Sequence, residues 1–217
     1  MMKNIQIYKE KAIEEILNPK FTVTKQNLAI NKIEFINGVP KIERIDLNYA
    51  DNLVAVYFPF KGERYFLRIN INKSPHIEVD FVNTESGNNT YLTATSYDLT
   101  FQELAEDLTL KPLTGWSKGD KPQYIFSRIL YEPFVSEAYE LESQIDLLLA
   151  ELEKDADKIR RLTIIANTYI SVCRHQYINA SAGINFSKET IKRLSNLNLS
   201  IDIDTYIVGK EIIDEDA

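Results

Sequence analysis

The chain has 217 residues, of which 44% are hydrophobic and 11% aromatic, enough apolar surface for a packed core and too much for a disordered composition. Its net charge of −7 is unevenly spread: residues 1–90 carry 12 Lys+Arg against 11 Asp+Glu, whereas residues 91–217 carry 13 against 21. Nucleic acid is therefore excluded as a natural partner, because binding phosphates needs a basic surface, and no stretch approaches the roughly 20 apolar residues that span a bilayer. The start, MMKNIQIYKEKAIEEI, lacks the apolar region and small-residue cleavage site of a secretory signal. The single cysteine, Cys173, cannot form an internal disulfide and fits a reducing compartment, so a cytoplasmic location is expected.

Residues 4–17 place Ile5, Tyr8, Ala12, Ile13, Ile16 and Leu17 on one helical stripe, which Asn18-Pro19 ends. The period then changes. KIEFINGVPKIERIDL contains Asn37-Gly38, a pair that tolerates positive φ at both positions and so predicts a hairpin. NLVAVYFPF and RYFLRINI flank Lys61-Gly62-Glu63 as a second hairpin, with Tyr57, Phe58, Phe60, Tyr65 and Phe66 clustered around its turn. Any of those aromatics that point outward would form a binding patch; cross-strand packing explains them equally well. HIEVDFVNT alternates, with Ile77, Val79 and Phe81 on one face and His76, Glu78 and Asp80 on the other. Glu85-Ser86-Gly87-Asn88 reads as a turn into a further strand, TYLTATS. Residues 1–88 are thus expected to form an N-terminal helix followed by an antiparallel β meander.

The rhythm differs over 89–210. Asp98 or Thr100 can cap a short helix, FQELAEDL, and GWSKGDKP at 115–122 follows as a loop around the chain's only tryptophan, Trp116. YIFSRILYE is a predicted strand. Ser136 is a predicted N-cap, with Glu137 and Glu140 in the first turn, where the helix dipole favours negative charge. The helix it would start carries Ala138, Leu141, Ile145, Leu148, Leu149 and Leu152 on one stripe. EKDADKIRR is a turn or short helix, TIIANTYISVCRHQYI a strand, SKETIKRLSNL a helix capped by Ser187, and SIDIDTYIV the last strand. Residues 211–217 form an acidic tail expected to fray. The order β-α-β-α-β-α-β predicts an α+β fold, a two-layer sandwich with the helices on one face of a mostly antiparallel sheet. No linker separates the two parts, and a strand pair crossing the boundary would fuse their sheets.

Candidate chemistry is sparse. A zinc site needs about four ligands, and Cys173 and His175, two apart on a predicted strand, have no companions nearby in sequence. As a nucleophile and base, the two would point in parallel from one strand face, a poor geometry for proton transfer. Asp202 and Asp204 share a face and would suit a hard cation or simply solvent; no glycine-bearing calcium loop surrounds them. Tyr169, Ser171, Cys173, His175 and Tyr177 share one polar-aromatic strand face that lines a groove or faces water. In the loop, Trp116, Lys118 and Asp120 are candidate binding residues, although Gly115 and Gly119 lack the strand-to-helix setting of a phosphate cradle. There Gly119 can take positive φ and Trp116 can cover the end of the core instead. No cofactor or metal is called for by any motif.

The loop residues Leu110, Pro112, Trp116, Lys118, Gly119 and Asp120 form a pattern with the closing residues Gly183, Ile184, Ser187, Leu194, Leu199, Asp202, Ile203 and Tyr206. In order and spacing this pattern resembles a bacterial family, domain of unknown function 4279, over roughly 90–210, and the TESGN stretch before it fits the same pattern. The resemblance implies no activity and no catalytic set; it implies company with toxin-immunity systems. Together with the acidic C-terminal part, it leads to the expectation of a non-enzymatic protein-binding module, in one version an immunity-type protein that masks a basic toxin. The alternative is a small-molecule-binding or enzymatic domain with a pocket between the two sheets.

Overall fold

The computed structural model describes residues 2–133, 136–180 and 183–212, with side chains from residue 5 onward. In chain order the helices are α1 (Met2–Leu17), α2 (Thr22–Ile30), α3 (Phe101–Ala105), α4 (Leu141–Leu152), α5 (Ala156–Ile165) and α6 (Lys188–Asn196). The strands are β1 (Phe35–Ile36), β2 (Val39–Pro40), β3 (Arg44–Ala50), β4 (Leu53–Pro59), β5 (Tyr65–Asn72), β6 (Val79–Ser96), β7 (Thr114–Trp116), β8 (Ser127–Tyr131), β9 (Asn167–Tyr177) and β10 (Ser200–Val208). Apart from the small β1–β2 hairpin, the strands form one eight-stranded sheet in the order β10-β9-β6-β5-β4-β3, with β8 pairing both β6 and β7. Every pairing is antiparallel except that of β9 with β10, whose connection runs through α6. The fold is α+β.

The expected turn at 85–88 is absent. β6 runs unbroken for 18 residues, and the boundary expected at 88/89 falls inside it. Ser86 pairs with Tyr65 of β5, and the next residue, Gly87, pairs with His175 of β9. One strand therefore belongs to both parts of the sheet. Glycine is required here by crowding, since a Cβ at Gly87 would lie 1.8 Å from the Arg64 carbonyl oxygen. The alternation expected around Phe81 also breaks. Asn70 pairs with Phe81 but Ile71 with Val79, so Asp80 is an extra residue in a bulge. The bulge turns Val82 into the core and leaves Phe81 exposed.

Two apolar layers flank the β3–β6 region. Val54, Val56 and Phe58 of β4, with Leu67, Ile69 and Ile71 of β5, face Tyr8, Ala12 and Ile16 of α1, as the helical stripe predicts. The alternate residues Ala55, Tyr57 and Phe66 face the other way, against Ala138. All five aromatics around the 61–64 turn are buried, so none forms an outward patch. The helix α2 has no counterpart in the sequence reading, because its segment begins with three β-branched residues of low helix propensity. Tertiary contacts override that preference: the buried carboxylate of Glu15 accepts from the amides of Lys20 and Phe21, and Phe21, Leu28 and Ile30 pack on the core.

In the C-terminal part, α3 to α6 lie on one face of the sheet. Ile145, Leu148, Leu149 and Leu152 of α4 meet Leu92, Ile170 and Val172, and each such side chain, fully buried, contributes roughly 1.5–3 kcal/mol. Thr100 caps α3 in a reciprocal box with Glu103, and Ser187 caps α6 through the Thr190 amide. Three expected boundaries move. The helix expected from Ser136 begins only at Leu141. Helix α5 extends through Ile165 and takes the first residues of the expected β9. Within GWSKGDKP, the first two residues end a short strand, β7, so the loop is the turn of a β7–β8 hairpin and not a helix-to-strand link.

Candidate functional site

Helix packing on one side of β6, β8, β9 and β10 decides what the other side displays. Leu92, Ala94, Ile129, Ile170, Val172, Ile201 and Ile203 point into the helical layer. With a side-chain period of two, Thr93, Thr95, Arg128, Tyr169, Ser171, Cys173, Asp202, Asp204 and Tyr206 point away from it. The registers set them in rows: Trp116 opposite Arg128, Arg128 opposite Thr95, Thr93 opposite Tyr169, Asp202 beside Ser171, Asp204 beside Cys173 and Tyr206 beside His175. None of the four apolar clusters includes a residue of this open face.

The face has an aromatic end and an acidic end. At the first, Trp116 stacks on Tyr124 at 4.8 Å and donates from Nε1 to the Phe126 carbonyl at 2.9 Å. The Arg128 guanidinium lies 5.7 Å from the Trp116 ring, and Lys121 lies 5.4 Å from the Tyr124 ring. Trp116 is thus half-buried on the open face and does not plug the end of the core. Lys118 and Asp120 build the hairpin turn. The Lys118 amide donates to Ser127 Oγ and its Nζ to the Tyr97 carbonyl, Asp120 accepts from the Ser117 amide at 2.7 Å, and Gly119 has φ +86°.

At the other end, His175 stacks on Tyr206 with ring centroids 5.4 Å apart. Asp202 and Asp204 are exposed, and neither has a hydrogen-bond or ion-pair partner among the described residues. Tyr177, grouped with these residues by its spacing, leaves the face: it stacks on Tyr65 at 4.8 Å in the α1 core and donates to the Lys210 carbonyl. Cys173 Sγ lies 4.0 Å from His175 Nε2. Burial pushes the thiol up, while burial and then the nearby Arg64 push the imidazole down. Both groups are neutral near pH 7, which is the opposite of a thiolate–imidazolium pair. Among the described residues no group of three or more His, Cys, Asp or Glu side chains is arranged to hold a metal ion.

A second set of residues went unread in the sequence. Arg68, 8% exposed, is held by Glu85 and Glu140, with its guanidinium over the Tyr49 ring at 4.6 Å. Arg44 bonds Asp46, Glu140 and the Ala138 carbonyl, and its guanidinium lies 3.6 Å from the Tyr139 ring centroid. Tyr57 donates to Glu140, and Arg64 pairs with Glu137. The acids expected to start a helix therefore clamp the 136–140 segment onto the β3–β5 region. Charge-assisted bonds to three arginines outweigh the weaker attraction of a helix N-terminus. The same segment serves β6: the Asn88 amide donates to the Glu137 carbonyl and Gln144 donates to the Asn88 carbonyl. Burial pushes the Glu85 carboxyl up against the opposing pull of Arg68. A signal for this network existed in the sequence, since Arg68 interrupts an otherwise apolar strand, RYFLRINI.

The open sheet face backed by four helices defines a particular α+β module, and its sequence has a family. The model of domain of unknown function 4279 matches residues 85–208, more than half of the chain, and the chain belongs to that family. No curated protein and no solved structure matches it. No helix among the described residues is long and apolar enough to cross a membrane.

Proposed function

We propose that this protein is a non-enzymatic binding module that docks a basic protein partner on the open face of its C-terminal sheet. The observation that carries the reading is the composition of that face. Trp116, Tyr124 and Tyr169 are displayed outside the apolar clusters, and at the other end of the face Tyr206 lies beside Asp202 and Asp204, whose carboxylates have no partner among the described residues. Tyrosine and tryptophan are the residues enriched in interface cores, and rigid aromatics give contact area at low entropic cost. The acidic rim supplies the field that steers a basic surface into register. An immunity-type role, masking a basic toxin, is the specific form that the family's expected company and the acidic C-terminal part support. The test is capture from an extract of the native host by the wild-type protein and by a variant carrying Asp202→Asn, Asp204→Asn and Tyr206→Ala. A basic protein retained by the wild type, released by salt and absent from the variant supports the reading. Identical captures by both proteins would refute it.

A further inference from the structure

A sheet that does not close on itself has edges, and each edge presents main-chain groups that another strand can take up. In the large sheet, β3, β7 and β10 each pair with one neighbour only among the described residues. β7 is three residues long, and the pairing of β3 with β4 shifts register between Asp46 and Ala50, so neither offers a long regular edge. β10 does: all nine of its residues, Ser200–Val208, pair in unbroken parallel register with β9. One bond shows which of its main-chain groups are free. Just past the pair Val208–Tyr177, the Ile178 amide donates to the Val208 carbonyl. In an extended strand the N–H and C=O of one residue point to one side and those of the next residue to the other. Ser200, Asp202, Asp204, Tyr206 and Val208 therefore direct theirs at β9. Ile201, Ile203, Thr205 and Ile207 direct theirs at the open edge, where no described residue bonds them. A row of such groups is a template for an added strand.

The side chains of β10 narrow the occupant. Asp202 and Asp204 stand on the open face, exposed and without partners among the described residues. Residues directly opposite them on an added strand would have Cβ atoms about 4.5–5.5 Å away, where an opposite charge is favourable and a like charge destabilising. On the other face Ile201 and Ile203 are half-buried and Ile207 is 58% exposed, so apolar side chains of an added strand would cover surface that is still wet. A second copy of this chain fits poorly. Paired over its full length with its two-fold mate, β10 would set Asp204 directly opposite Asp204. We propose that β10 is a docking edge to which a partner protein adds an extended strand, with basic side chains at alternate positions beside Asp202 and Asp204 and apolar ones between them. This rests on the docking reading above for the sign of the partner's charge. It adds that the partner is held by main-chain bonds to Ile201, Ile203, Thr205 and Ile207.

The test titrates the ¹⁵N-labelled full chain with a capped heptapeptide, Lys-Val-Lys-Val-Lys-Val-Lys, and with its Glu-for-Lys counterpart. Two further versions of the lysine peptide are N-methylated, one at every valine and one at every lysine. The expected result is saturable binding of the lysine peptide, at least tenfold weaker binding of the glutamate peptide, and at least tenfold slower amide exchange at Ile201, Ile203, Thr205 and Ile207. One methylated version should lose at least tenfold in affinity while the other keeps it, because an added strand turns only one set of its amides toward β10. Thr205→Pro removes an N–H of the open edge and no bond to β9, so it is expected to keep the fold and weaken the lysine peptide at least tenfold. Should that variant fold poorly, the methylated pair carries the test. No binding, unslowed exchange at those four amides, equal response to the two methylated versions, or equal binding of the lysine and glutamate peptides would each overturn the proposal. A dimer of the chain alone that Thr205→Pro dissociates would also overturn it, assigning the edge to a second copy. The docking reading fails separately, in the capture with the Asp202, Asp204 and Tyr206 variant, which leaves the outward main-chain groups of β10 intact.

Discussion

Glu140 offers the sharpest test of how the molecule is held together. Its carboxylate accepts from Tyr57, Arg68 and Arg44, side chains of three different strands of the N-terminal region. Glu140→Ala removes all three bonds at once. Breaking a fully buried ion pair costs about 3–5 kcal/mol. Two facts reduce that figure: the Glu140 side chain is 27% exposed, and Arg68 and Arg44 keep Glu85 and Asp46. One fact restores part of it, since the buried Tyr57 hydroxyl loses its acceptor, a loss of about 1 kcal/mol or more. The expected destabilisation is about 2–4 kcal/mol. Urea unfolding at 25 °C measures it, with Trp116 fluorescence reporting on the open face and far-ultraviolet circular dichroism on the whole chain. Tyr57→Phe in the same background completes a double-mutant cycle, in which neighbours in one network couple by roughly 0.5–3 kcal/mol. A loss below about 0.5 kcal/mol, or strict additivity with Tyr57→Phe, would refute the clamp.

Further outcomes follow from the same geometry. Gly87→Ala is expected to cost at least about 1–3 kcal/mol by overpacking, read as a fall in thermal midpoint, because the new methyl meets backbone and not a flexible side chain. Trp116→Ala is expected to cost clearly less than the about 3–5 kcal/mol of a core truncation, since the ring lies half-exposed on the open face; an unfolding midpoint lowered by the full core amount would refute that placement. The lowered imidazole of His175 means that the unfolded chain binds its proton at a higher pH than the folded chain does. Wild-type stability should therefore fall as pH drops below the usual imidazole value of about 6.5, and His175→Gln should flatten that part of the profile. Because burial raises the Cys173 thiol, its alkylation by iodoacetamide should be slow at pH 7 and should accelerate only above the usual thiol range near 8.5.

The α+β class and most elements were legible in the sequence, for reasons visible in particular residues. Tyr8, Ala12 and Ile16 announce α1, Asn37-Gly38 the β1–β2 hairpin turn with φ of +52° and +78°, and Ser187 the start of α6, because each is a local signal read by local geometry. The failures share one cause. The Glu85–Asn88 stretch has turn residues by composition, yet each of its four positions is fixed by partners distant in sequence, from Phe66 to Arg174. Ser136, Glu137 and Glu140 form a plausible helix start until Arg44, Arg64 and Arg68 compete for the acids across the fold. Of the candidate residues, Trp116, Tyr169, His175, Asp202 and Asp204 come together at the open sheet because period-two alternation carries over to three dimensions. Tyr177 follows the same alternation but lies past the last β9 pairing with β6, where the chain bends into the α1 core.

The family's own boundary gains a meaning from the long strand. The matched segment starts at Glu85, in the middle of β6. A chain beginning there would retain Glu137 and Glu140 but none of Arg44, Tyr57, Arg64 and Arg68, the side chains that hold those two acids. In a relative with a different leading region, acids at the positions equivalent to 137 and 140 would lose these three arginines and the clamp they make.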